Sequence, residues 1–131
     1  MVENKYGKAV KEFDLFKEKV SFEDPGLLED YLRALHYIAY VYTTRKEYEK
    51  AADDYRKIIS IKPNDQKAHY NLAVCYYIYY RNCQKAYIEL NKVMEIGPNN
   101  HIAGKAKFYI DYIRRNPDSR FAGDIEFLKE D

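Results

Sequence analysis

Residues 35–63, LHYIAYVYTTRKEYEKAADDYRKIISIKP, and residues 69–98, HYNLAVCYYIYYRNCQKAYIELNKVMEIGP, carry one pattern twice. Leu35, Ile38, Ala39, Tyr42, Ala51, Tyr55, Ile58 and Pro63 mark the first copy. His69, Leu72, Ala73, Tyr76, Ala86, Leu90, Val93 and Pro98 mark the second. The early positions are offset by 34 residues (38 to 72, 42 to 76) and the late ones by 35 (51 to 86, 63 to 98). One residue is therefore inserted between the two halves, and the spacing predicts it near residues 81–84. The apolar members recur at three- and four-residue steps, the period of one helix face. A repeat of this period, helical in both halves, predicts an all-α chain of antiparallel helix pairs stacked in a solenoid.

Working outward, five main helices are expected. Asp24 and Pro25 form a helix start, with Asp as N-cap and Pro at the first helical position, and that helix runs to about residue 44. A second is expected over residues 47–61 and ends before Pro63. A third spans residues 65–80, and a fourth residues 84–96, stopped by Gly97 and Pro98. The fifth opens at Asn100 and reaches Arg115. Tyr6, Lys8, Ala9, Phe13 and Phe16 align with Tyr48, Lys50, Ala51, Tyr55 and Ile58, so residues 6–20 read as a half-unit. Phe121, Ile125 and Leu128 share one stripe, so residues 117–131 read as a short capping helix or tail.

Bulk properties narrow the function classes. At 131 residues the chain is expected to form one domain. Its 22 basic and 21 acidic residues give a net charge of +1, which provides no global field for nucleic acid or anionic membrane. There are 5 glycines and 4 prolines, few enough to suit helices joined by short turns. Cys75 and Cys83 are eight residues apart, roughly 12 Å along a helix axis, too far for an easy disulfide. No run of 18 apolar residues is present and the first residues lack the apolar core of a signal peptide, so a cytoplasmic location is the expectation.

The pattern resembles the tetratricopeptide repeat (TPR), an antiparallel helix pair of 34 residues. By that resemblance residues 32–64 form a first unit, residues 66–99 a second, and residues 100–116 the opening helix of a third. The family's fold, a right-handed superhelix, is implied with it. Ala39, Ala51, Ala73 and Ala86 would then be the points of close helix approach, and Tyr42, Tyr55, Tyr76 and Leu90 their large partners, with Leu35 and Leu72 as further structural positions of the repeat. Pro63 and Pro98 would end each unit. His69 departs from the pattern, standing where a large apolar residue is usual.

The resemblance also implies that the first helix of each pair lines a concave groove. Arg33, His36, Tyr37 and Tyr40 would come from the first helix, Lys67, Tyr70, Asn71 and Tyr77 from the third, and His101, Lys105 and Phe108 from the fifth. Such a groove is rich in tyrosine and mildly basic, suited to a peptide or protein surface, in particular an acidic segment or a C-terminal carboxylate. The chaperone-binding members clamp a carboxylate with five residues; only Asn71 and Lys105 match here, so that assignment is not made. Tyr79, Tyr80 and Tyr109 receive no role among the 15 tyrosines.

No cofactor or metal is expected, and no enzymatic activity. His36, His69 and His101 begin successive groove helices, but no HxxxH or carboxylate–histidine spacing supports a metal site, and micromolar zinc uptake would be the discriminating observation. Neither a phosphate-cradling glycine loop nor a serine-nucleophile motif is present. Two other classes stay open. One is a self-associating scaffold whose solenoid ends stack on a copy, visible as oligomers in sedimentation. The other, a single-strand RNA binder using tyrosine stacking, is disfavoured by the near-neutral charge.

Overall fold

The computed structural model describes residues 25–115, and over them the three- and four-residue apolar spacing becomes five helices and no strand. They are α1 (Pro25–Thr44), α2 (Tyr48–Ile61), α3 (Gln66–Ile78), α4 (Cys83–Ile96) and α5 (His101–Arg115). The expected N-cap Asp24, the half-unit over residues 6–20 and the cap over residues 117–131 lie outside the described residues. Each helix packs mainly on the next, and α3 also touches α5. The turns between them are short enough to reverse the chain each time, as stacked hairpins require.

Four helix starts differ from expectation by one residue, and side-chain caps set three of them. Asp65 precedes α3 and its side chain accepts the Ala68 amide at 3.0 Å. Asn82 does the same for Lys85 at 3.0 Å, which moves the start of α4 forward to Cys83. Asn100 accepts the Ala103 amide at 2.9 Å ahead of α5. Each cap satisfies one amide that the helix itself leaves without a partner. Helix α3 ends at Ile78, leaving Tyr79 and Tyr80 in the turn rather than in the helix.

That early end relocates the insertion. Helices α1 and α3 end at equivalent positions, Thr44 and Ile78, still 34 residues apart. The left-handed turn residues, Lys46 (φ 61°) and Arg81 (φ 53°), are already 35 apart. Each turn is closed by the amide just after its left-handed residue. Glu47 donates to the Tyr42 carbonyl at 2.8 Å, and Asn82 to the Tyr76 carbonyl at 2.9 Å. The extra residue therefore lies at Tyr79–Tyr80, which together replace the single Arg45, and not at residues 81–84.

Two apolar clusters form the core, and α3 belongs to both. Tyr31, Leu35, Ala39, Ala51, Tyr55 and Ile58 meet Ala68, Leu72 and Cys75 of α3 on one side. Tyr70, Ala73, Val74 and Tyr77 of α3 meet Ala86, Leu90, Val93, Ala106 and Ile110 on the other. Every residue from Ala68 to Cys75 is consequently buried, as in a helix enclosed on all sides. Ala39, Ala51, Ala73 and Ala86 are all at most 1 % exposed. Ala73→Leu should overpack the second cluster and lower stability by about 1–3 kcal/mol, read as an earlier urea midpoint without change of slope.

A side-chain network joins the end of α4 to the start of α5. The Gln66 amide nitrogen donates to the carbonyls of Val93 (2.9 Å) and Gly97 (2.8 Å), while its oxygen accepts from Asn100 at 2.6 Å. Carbonyls at the end of α4 thus gain partners from the first residue of α3. Gly97 sits at φ −156°, extended backbone that any residue adopts. Its requirement is space: a Cβ there would stand 3.1 Å from both the Gln66 and Asn100 amide nitrogens.

Candidate functional site

The residues expected to line a groove separate into three groups. Arg33 is exposed, with only a loose 4.0 Å approach to Asp30, and Tyr37, Tyr40 and Lys67 are half-buried. Tyr70, Asn71 and Tyr77 are at most 3 % exposed, so they do not present a surface to a ligand, contrary to the groove expectation, while His36, on α1, is 6 % exposed. The cause is the all-round enclosure of α3: Tyr70 and Tyr77 fill the second cluster, and the Tyr70 ring lies 6.5 Å from that of Tyr109. On α5, His101 and Phe108 are exposed and Lys105 is half-buried.

What the fold does bring together is a cleft of about 220 Å³ between α1 and the α2–α3 turn. Arg33, His36 and Lys67 line it together with Glu29, Lys62 and Asp65, over a floor that includes Leu32. His36 is held by its Nε2, 2.8 Å from Asp65 Oδ2, and its ring lies 6.3 Å from the Tyr55 ring. Asp65 uses its other oxygen to cap α3, so both of its oxygens are engaged within the protein. Burial pushes the Asp65 carboxyl up, but His36, the Ala68 amide and the Lys62 charge together hold it below its ordinary value. The lining carries three cations, Arg33, Lys62 and Lys67, against two carboxylates. His101, Lys105 and Phe108 are not part of it.

Sequence reasoning gave no site role to Glu29, Lys62 or Asp65. The signal for Asp65 was its place before α3, since a cap at a hairpin junction also faces the helix before it. Lys62 had no signal beyond preceding Pro63.

The histidines do not gather. His69, the departure from the repeat, is 2 % exposed and bridges two acceptors: Nδ1 meets Glu89 Oε2 at 2.5 Å and Nε2 meets the Pro63 carbonyl at 2.7 Å. A carbonyl and an ionised carboxylate only accept, so the protonated ring, an imidazolium with hydrogen on both nitrogens, is the form that satisfies both partners. Burial works against that charge, but Glu89 and the Pro63 carbonyl outweigh it and raise the His69 pKa. Among the described residues no group of three or more His, Cys, Asp or Glu is placed to hold a metal ion. Cys75 is buried, and burial pushes its thiol up to about 12, which makes it a poor nucleophile. No described helix is long and apolar enough to cross a membrane.

Comparison of the chain with protein-family models, curated proteins and solved structures gives no match.

Proposed function

We propose that the chain is a TPR-like, non-catalytic interaction module that holds an acidic segment of a partner protein in the α1–α3 cleft. The observation that carries this reading is the meeting of Arg33 and Lys67. Both were read as groove cations from the repeat register, and they line one cleft with Lys62. A carboxylate entering there meets cations on two elements, while the His36–Asp65 pair fixes the floor. Serial hairpin packing supports the repeat assignment, and a cytoplasmic location is part of the same proposal.

The test is a fluorescein-labelled Asp/Glu-rich peptide titrated with the full chain and followed by anisotropy. Arg33→Glu and Lys67→Glu should each weaken binding by roughly tenfold, about 1.4 kcal/mol, with thermal melting unchanged. Lys105→Glu, outside the cleft, should leave affinity as it was. Equal binding by all four proteins would send the site elsewhere.

A further inference from the structure

The second hairpin turn contains something the first does without. Both close with the same amide-to-carbonyl bond and the same left-handed residue, yet the first needs only Arg45 where the second has Tyr79 and Tyr80. The internal comparison shows that two tyrosines are not required to reverse the chain. They are also unusually open for large side chains, Tyr79 at 48 % and Tyr80 at 39 % exposed.

Their geometry is defined. The Tyr79 and Tyr80 rings meet edge to face, centroids 4.8 Å apart and planes at 82°, which makes a right-angled aromatic corner. Tyr79 is backed by Tyr48 of α2 at 6.0 Å, and Tyr80 by Tyr76 of α3 at 5.9 Å. Tyr76 is itself held by cations, with Arg56 and Lys85 lying 5.7 and 5.6 Å from its ring centroid. Arg56 is neutralised by Asp53 at 2.8 Å, whereas neither Arg81 nor Lys85 has a carboxylate partner among the described residues.

We infer that this corner is a second binding surface, for an extended proline-containing segment of a partner protein with an acidic flank. Two perpendicular ring faces accept a compact apolar ring between them. A pyrrolidine offers that shape, has no N–H to desolvate, and arrives on a chain already stiffened as polyproline II. Consecutive nucleotide bases stack in parallel, and rings at 82° provide a platform for one base only. A cationic ligand would be repelled by Arg81 and Lys85, which instead complement a carboxylate beside the proline. This inference is independent of the cleft reading, because none of its residues lines the cleft.

The experiment titrates the full chain into three labelled probes: a short proline peptide flanked by aspartates, its alanine-for-proline counterpart, and a short oligouridine. The proline peptide should bind, with the alanine counterpart at least tenfold weaker and oligouridine weaker still. With all titrations made on the Lys67→Glu background, which keeps the acidic probes out of the cleft, Tyr79→Ser and Tyr80→Ser should each reduce proline-peptide binding at least tenfold with melting unchanged. Should a tyrosine variant lose its fold, Lys85→Glu tests the same surface by weakening the aspartate-flanked probe. Absence of proline-peptide binding up to about 1 mM overturns the inference. So does equal affinity for the alanine peptide, or oligouridine binding that depends on Tyr79 and Tyr80.

Discussion

Glu89→Ala should lower the unfolding free energy by about 3 kcal/mol near pH 6. His69 is buried as an imidazolium between Glu89 and the Pro63 carbonyl, and removing Glu89 leaves that charge without its counter-ion. The variant either keeps an uncompensated buried charge or gives up a proton and keeps the Nε2–H donated to the Pro63 carbonyl, leaving Nδ1 buried without a partner where Glu89 stood. Urea unfolding at two pH values separates this from a packing defect. The His69 pKa is raised in the folded state, so its contribution is fully present below the ordinary histidine value of about 6.5 and is lost as pH rises through the raised one. Wild type should therefore lose stability on going alkaline, and Glu89→Ala should not follow it. A deficit of equal size at pH 6 and pH 9 would contradict the charged-ring assignment. Asp65 has the opposite sign: its lowered pKa makes a contribution present above about pH 4 and lost as acid protonates it.

Tyr55→Ala should cost about 3–5 kcal/mol, because it empties a fully enclosed site in the first cluster. Tyr55→Phe makes the sharper comparison. The Tyr55 hydroxyl is buried without a well-formed hydrogen bond, although Asn71 lies beside it. Burial, with smaller pushes from Cys75 and other acidic neighbours, accordingly raises the phenol pKa well above its ordinary value. Deleting that oxygen should be neutral or slightly stabilising, since a poorly partnered polar atom leaves the core. Leu90 occupies the matching place in the second unit, 35 residues on, and shows that the position needs apolar volume rather than a hydroxyl. Calorimetric melting of the two variants decides: a Tyr55→Phe loss comparable to that of Tyr55→Ala would mean the hydroxyl has a structural partner.

The hairpin order and most of the core were legible because apolar spacing reports helix faces directly. Ala39, Ala51, Ala73 and Ala86 stood out as small residues in a repeated register, and all are buried. The face of α3 was misread because a single inward stripe was assumed. The corrective signal was in the chain: between Lys67 and Arg81 no Asp, Glu, Lys or Arg occurs, and a helix with no such face is enclosed rather than lining a groove. Arg33 and Lys67 were found as candidate site residues because the repeat resemblance places the first helix of each pair on a groove. The His69–Glu89 link was beyond reach, as its partners are 20 residues apart across a hairpin and neither spacing nor composition couples them. The turn insertion was visible as a change of offset, but only backbone geometry could place it at Tyr79–Tyr80.

The sharing of α3 between both clusters has a thermodynamic consequence. In an array whose units meet only at thin interfaces, one end can melt while the other stays folded. Here the residues from Ala68 to Cys75 supply side chains to the packing on either side, so neither hairpin keeps its interior if α3 unravels. The described helices are thereby coupled into one cooperative transition, and α3 is the segment whose amides should open to solvent last.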